Sequence, residues 1–314
     1  MTIAKIATLV AAASAIFPAA TSAAQDAPTS AVMPATGAAV EVPLFLTEGR
    51  LLVPVEIEGL GKTFFILDTA ASRTVISSDL RDRLTLDASS VRERTVQGST
   101  MMEFVKLPSM DIGGDRHGDL WAVVTDISDF RNYDGRMVTG IIGTDLLSKY
   151  DVGIDVPSRT LRLYSPAASA GSGSEKHLPF HSFEETEFVQ FTATIDNKPV
   201  QALLDTGARR GVLNWKAAGL AGVGPDSDGI RKEAGGSEGI GGQKIPQYRH
   251  TFDGICLGDH CLPARELRIA DLSVFGVVGD ADKPSMLIGV EWLKTCPILI
   301  SYTTDRLQLC TNAT

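Results

Sequence analysis

Residues 65–71 read FILDTAA and residues 202–208 read ALLDTGA. Each is an apolar run that ends on Asp-Thr and passes into small residues. Alone, either stretch is ordinary. Asp and Thr side chains bond nearby backbone groups, so an Asp-Thr pair at a strand end is usually turn chemistry. The occurrence of the same stretch twice changes that reading.

The likeness extends in both directions. VPVEIEGLGKTFFILDTAASRTVIS (53–77) is answered by FTATIDNKPVQALLDTGARRGVLN (191–214). Each reads as a strand, a turn around Gly59 or Asn197, an apolar strand, the Asp-Thr pair and a further apolar strand. Downstream, GIIGTDLLSKYDVGIDVPSRTLRLY (140–164) is answered by MLIGVEWLKTCPILISYTTDRLQLC (286–310). Both run from an apolar pair through glycine into a short helical turn with an acid, Asp145 or Glu291, and then a hairpin. From Gly143 and Gly289 onward the copies align without a gap. Self-similarity at both ends, in one order, predicts two copies of one fold unit. Short runs rich in Val, Ile, Leu and Thr between Gly, Asp, Asn and Pro predict an all-β chain.

The 314 residues allow two domains; 44% apolar and 21% charged residues describe a globular chain, and the net charge of −9 argues against nucleic acid as a partner. MTIAK, the apolar IATLVAAASAIF and the small residues of PAATSAAQ predict a signal peptide over residues 1–24, cut after Ala23 or Ala24. Residues 25–40 are expected to be flexible, 41–165 to form the N-terminal lobe, 166–176 the linker and 177–314 the C-terminal lobe. No later run is long enough to span a bilayer as an apolar helix, so the mature chain is expected to be exported to the periplasm or secreted. Export makes the four cysteines candidates for disulfides. Cys256 and Cys261 bracket LGDH, and Cys296 and Cys310 bracket a longer hairpin, which predicts bridges Cys256–Cys261 and Cys296–Cys310. Zinc is the rival reading, disfavoured because CxxC spacing is missing and His260 is the one imidazole near them in sequence. His177 and His181 have a passable metal spacing but read as surface or turn residues.

Duplication gives the aspartates a second meaning. A pseudo-twofold pairing of the copies brings equivalent loops together at the axis, so Asp68 and Asp205 would meet. Two carboxylates in one partly buried site cannot both ionise easily and hold a proton between them. One can then take a proton from water while the other protonates a carbonyl oxygen. Thr69 and Thr206 are placed to pin the loops by hydroxyl hydrogen bonds across the axis. The small residues Ala70 and Gly207 follow because the backbones must approach closely.

With these residues in view, the chain resembles the retropepsin-like aspartic peptidases, in particular a bacterial periplasmic type carrying both units in one chain. Asp205-Thr206-Gly207-Ala208 matches the family's active-site motif. Ile141-Ile142-Gly143 and Leu287-Ile288-Gly289 match its second motif, the strand of the ψ-shaped loop beneath each aspartate. SEGIGGQKIPQY (237–248) resembles the flap, with Gly239, Ile240 and Gly241 at its tip; RTVQGSTM (94–101) occupies the first-copy flap position, with Gly98 the tip and Ser99 beside it. The resemblance implies a bilobal fold of two β-barrel lobes, a monomer in which the copies form an internal pseudo-dimer, and limited endoproteolysis of extended peptide or protein substrates without metal or cofactor. Two features depart from the pattern. Asp68 is followed by Thr-Ala, which strains the chain if Ala70 needs a positive φ or very close approach. Arg209 and Arg210 follow the second motif, where they either favour ionised Asp205 or point along the cleft toward acidic substrate side chains. These departures sustain a runner-up reading, a catalytically inactive module that binds extended peptides.

Overall fold

The strands that carry the two aspartates are Gly61–Leu67 and Lys198–Leu204. Both begin exposed and end with three fully buried residues, in the same order of burial along the strand. Each is the second arm of a hairpin. The first hairpin turns on Gly59 and Gly61, both at positive φ, and the second on Asp196 and Asn197, also both at positive φ. Paired positive-φ residues are what tight hairpins on right-twisted strands require.

The computed structural model describes residues 38–95, 98–127, 132–166, 177–182, 186–233, 237–238, 244–277 and 282–310. Within them lie two sheets of one plan. The first runs, edge to edge, Ala88–Thr95, Gly98–Lys106, Trp121–Thr125, Val75–Ser77, Arg136–Ile142, Gly61–Leu67, Arg50–Ile57, Met110–Ile112, Asp115–His117. The second runs Arg231–Lys232, Tyr248–Phe252, Arg265–Ile269, Val212–Leu213, Ser285–Ile288, Lys198–Leu204, Gln190–Ile195, Ile255–Leu257, His260–Cys261. Taken in chain order, the nine strands of one occupy the same places as the nine of the other. The first sheet has two further strands, Phe45–Thr47 and Asn132–Tyr133, paired outside this path. The fold is all-β and two-lobed, as the repeat predicts.

A third sheet joins the copies. Its order is Ala38–Pro43, Thr160–Tyr164, Asp151–Asp155, Ile298–Ser301, Arg306–Leu309, His177–Pro179. At its centre Asp151–Asp155 and Ile298–Ser301 pair antiparallel, with Gly153 opposite Leu299. These two residues occupy equivalent positions in the copies, so the pseudo-twofold axis passes between them. The outer strand begins at Ala38, inside the segment expected to be flexible: its pairing with Thr160–Tyr164 orders it.

Short helices close the loops in matching places. Ser77 caps helix Ser78–Leu84 by accepting from the Leu80 amide, and Asn214 caps helix Trp215–Leu220 by accepting from the Ala217 amide. A single buried apolar cluster runs from the first lobe through the central sheet into the second, so the lobes are packed as one body. Both expected disulfides are present, Cys256–Cys261 and Cys296–Cys310. Among the described residues no helix is long and apolar enough to cross a membrane.

Candidate active site

Strand Arg136–Ile142 runs parallel to Gly61–Leu67, with Leu67 opposite Ile142, and antiparallel to Val75–Ser77 on its other side. The chain therefore leaves one side of this strand at Asp68 and returns on the other. Strand Ser285–Ile288 stands in the same relation to Lys198–Leu204 and Val212–Leu213. The Asp68 amide donates to the Ile142 carbonyl at 3.1 Å and the Asp205 amide to the Ile288 carbonyl at 2.9 Å. Both ψ-loops named from the sequence are thus formed.

Their glycines are explained by crowding. A Cβ on Gly143 would lie 2.5 Å from the backbone of Arg73, and one on Gly289 2.6 Å from the backbone of Arg210. Directly beyond, the acids noted in the sequence hold the returning loops. Thr74 Oγ1 donates to Asp145 at 2.9 Å, and the Gly211 amide donates to Glu291 at 2.7 Å. Burial pushes both acids above the usual carboxylate range, against these hydrogen bonds.

The two loops meet through their threonines. The Thr69 amide donates to Thr206 Oγ1 at 3.0 Å, and the Thr206 amide donates to Thr69 Oγ1 at 3.1 Å. Each hydroxyl then donates across the axis, Thr69 to the Leu204 carbonyl at 2.7 Å and Thr206 to the Leu67 carbonyl at 2.8 Å. Both threonines are fully buried. Four reciprocal bonds in a dry setting fix one loop against the other, since breaking any leaves a buried polar group unpaired.

On this frame sit the two carboxyls, both buried. The Ala70 amide donates to Asp68 Oδ1 and the Ala208 amide to Asp205 Oδ1, each at 2.8 Å. Burial pushes Asp68 well above the usual carboxylate range; burial and then the charge of Asp68 push Asp205 up as well. The groups therefore titrate as a pair that retains a proton where isolated carboxyls are ionised. Asp205 Oδ2 has no hydrogen-bond partner among the described residues, as suits an oxygen left for a proton and an incoming molecule.

Gly207 and Ala70 occupy equivalent places but differ in surroundings. A Cβ on Gly207 would stand 2.2 Å from Asp68 Oδ2; the glycine is required by close approach, as neither it nor Ala70 has a positive φ. The methyl of Ala70 is fully buried in an apolar cluster of the second lobe with Phe188, Leu203, Val212 and Leu287. The strain feared at Ala70 is therefore not present.

A guanidinium does stand beside the pair, but it belongs to a residue the sequence reading passed over. Arg50 opens strand Arg50–Ile57, is 2% exposed, and donates through Nη1 to the Gly207 carbonyl of the other lobe. The only signal was a lone charge between a Glu-Gly turn and LLV, which does not disclose burial. Arg209 lies elsewhere: its stem packs over Gly49 and its Nη2 is 3.5 Å from Glu48 of the first lobe. Arg210 is exposed and faces Glu291 and Arg268.

The flap residues are reached in part. Ala88–Thr95 and Gly98–Lys106 form the first-copy hairpin, with Thr95 opposite Gly98. Gly98 is thus a paired strand residue flanking the connection at 96–97 instead of its tip, and Ser99 pairs with Arg94. In the second copy Ser237–Glu238 pairs with Lys244–Ile245; Gly239, Ile240 and Gly241 lie outside the described residues. His260, Cys296 and Cys310 gather closely enough to suggest a metal, but the cysteines are joined to one another.

A family model described as "Aspartyl protease" matches residues 53–146 and 191–292, one match on each copy and each spanning an Asp-Thr pair and the following ψ-strand. No curated protein matches the chain. A crystal structure of a retropepsin-like aspartic protease from Rickettsia conorii is similar at 18% identity, covering 40% of this chain and 89% of that one, with a TM-score of 0.29.

Proposed function

The chain belongs to the aspartyl protease family, and we propose that it is an exported endopeptidase whose catalytic groups are Asp68 and Asp205. The observation that carries this reading is the reciprocal bonding of Thr69 and Thr206, which holds two buried carboxyl-bearing loops face to face. In the resting dyad one proton is shared. Both carboxyls accept backbone N–H groups; the proton is assigned to Asp205, whose Oδ2 has no hydrogen-bond partner among the described residues. A water between them loses a proton to Asp68 as its oxygen bonds the peptide carbonyl carbon. Asp205 gives its proton to the carbonyl oxygen. The tetrahedral diol then collapses: Asp68 gives its proton to the leaving nitrogen as the C–N bond breaks, and one diol hydroxyl gives its proton to Asp205 as the C=O bond reforms, which restores the resting dyad.

The substrate in this reading is an extended peptide segment lying between the lobes, paired with main-chain groups as an added strand and covered by the hairpin Ala88–Lys106 and its second-copy counterpart. Limited cleavage of another exported or membrane protein is the role proposed, by analogy with periplasmic regulatory proteases. Two disulfides fit an oxidising compartment, in keeping with export through the segment 1–24. The test is turnover of a peptide library by the purified mature chain, with and without a statine-type transition-state analogue. Cleavage blocked by the analogue supports the reading; no cleavage of any peptide, with peptides still bound, supports the inactive binding module.

A further inference from the structure

The walls on either side of the dyad differ in kind. In the first sheet, residues paired directly across neighbouring strands run in one row: Leu52, Ile66, Ile141, Val75, Val123 and Phe104. The matching row of the second sheet is Gln190, Leu203, Leu287, Val212, Arg268 and Arg249. Leu52 and Gln190 are therefore equivalent, as are Arg50 and Phe188 two residues before them. Directly paired residues share one face of a sheet. This face fronts the dyad, because its apolar residues pack with Ala71 in the first lobe and with Ala70 in the second. Beyond Val75 and Val212, toward the hairpins that cover the dyad, the rows part.

The first lobe continues with hydrocarbon. Val123 is buried, and Phe104 and Met102 pack half-buried on the same apolar cluster. Met102 pairs with Val91, which is 44% exposed and so leaves apolar surface open. The second lobe has a charge or an amide at each of these places. Arg268 replaces Val123 and Arg249 replaces Phe104. Gln247 replaces Met102, and Glu233, whose amide donates to the Gln247 carbonyl at 2.8 Å, replaces Val91. Glu233 pairs with Arg249 and, at 3.4 Å, with Arg268. Glu266 pairs with Arg249 at 3.1 Å and with Arg231. Arg210 adds an exposed cation from the loop after Asp205. Burial, and then the charges of Arg210 and Arg249, hold the Arg268 guanidinium below its usual range, at about 10. Glu291, the remaining acid beside them, is held by the Gly211 amide. Positive charge is therefore in surplus on this wall.

We propose that the two walls select the substrate: the second-lobe half of the cleft takes an acidic side chain against Arg210, Arg249 and Arg268, and the first-lobe half takes an apolar one against Val91, Met102 and Phe104. The inference rests on the reading of Asp68 and Asp205 as an endopeptidase dyad and gives that enzyme its substrate class. The substrate is an extended peptide with an aspartate or glutamate on one side of the scissile bond and an apolar residue on the other. An incoming carboxylate balances the surplus charge, whereas an amide does so only as a dipole and a basic side chain is repelled. On the other wall a hydrocarbon side chain removes exposed apolar surface from water. Of the two arginines that follow the second motif, Arg209 is turned to Glu48 of the first lobe, so Arg210 acts with Arg249 and Arg268 instead.

The test begins with a peptide library cleaved by the purified mature chain, with Asp205→Asn as control. A wild type that does not cleave, or an Asp205→Asn variant that does, would sink the dyad reading itself. Given dyad-dependent cleavage, the products should show Asp or Glu enriched on one side of the cut and apolar residues on the other. Cuts that favour apolar or basic residues on both sides would overturn the proposal. A cleaved peptide and its counterpart with glutamine in place of the acid then give a ratio of kcat/KM, about tenfold or more in favour of the acid for wild type. Arg210→Gln and Arg249→Gln should each bring this ratio toward one. The ratio is taken within one enzyme, so a general loss of stability or turnover does not move it. A ratio unmoved in both variants would reduce the arginines to a structural role and contradict the proposal. A second readout needs no turnover and tests the charge selection apart from the dyad. The same library, arrayed and probed with folded Asp205→Asn, should retain acidic peptides over their glutamine counterparts. Equal retention, or retention of neither, would overturn the selection on its own.

Discussion

The two lobes share one strand order and one pair of crossed threonines, yet they differ wherever a neighbour of the axis or a hairpin end could be built in two ways. Arg50 stands where the second copy has Phe188, and Ala70 where it has Gly207. Asp111 and Arg116 pair in register where the second copy has Cys256 and Cys261. Tyr150 and Tyr164 stand where it has Cys296 and Cys310. What is common to both lobes is what the loops need to close: the ψ-strands, their glycines and the threonine bonds. What differs is how the equivalent hairpins are held: covalently in the second lobe, whereas in the first Asp111 accepts from the Gly114 amide and Arg116 pairs with Glu58 of the neighbouring strand's turn.

Substitutions can break this comparison, beginning with the position that tolerates least. Gly207→Ala places a methyl within the space of the Asp68 carboxylate, and a misplaced reacting group lowers kcat/KM by about 100-fold or more. The equivalent change in the other copy, Ala70→Gly, keeps kcat/KM within the same order of magnitude and costs about 1 kcal/mol of stability. Equal effects of the two, measured on one peptide substrate, would erase the asymmetry.

The disulfides sharpen the comparison of the lobes. Replacing Cys296 and Cys310 by Ala, which opens a loop of 14 residues in sequence separation, costs about 3 kcal/mol; the same change at Cys256 and Cys261, separated by 5, costs about 2 kcal/mol. Denaturant unfolding of the two variants gives both numbers, and the reverse order would contradict the loop-length argument. The threonines should show no such difference. Thr69→Ala and Thr206→Ala each remove matching bonds and each cost about 1–3 kcal/mol; a cost confined to one of them would mean that the crossing bonds are not reciprocal in solution.

The smallest effect is in pH. Both dyad carboxyls have folded values raised by burial, so the native state keeps protons that the unfolded chain has released. The dyad's contribution to stability is therefore greatest in acid and is lost as pH rises from the ordinary carboxylate range through the raised one. Asp205→Asn flattens that decline, measured by melting between pH 4 and 8; an unchanged slope would place the dyad's titration elsewhere.

Much of this arrangement is legible in the sequence because it is repeated. FILDTAA and ALLDTGA together give the strands, the loops and the axis, and the threonine bonds follow from the need to join two loops there. The cysteine pairing is legible too, since each pair brackets a hairpin. Arg50 is not, because burial of a charged residue depends on what the other lobe places against it, and LTEGRLL carries no trace of Gly207. Gly98 was misplaced by one step, because glycine marks a turn by its freedom and yet can pair in a strand. The position of Arg209 on Glu48 depends likewise on contact between lobes that no local pattern encodes.

The most direct test of the account is the dyad itself. Purified wild type, Asp68→Asn and Asp205→Asn, each confirmed folded by circular dichroism, are incubated with a peptide library and cleavage is followed by mass spectrometry. The account predicts cleavage by wild type and none above background by either variant. Cleavage retained by either folded variant would contradict it.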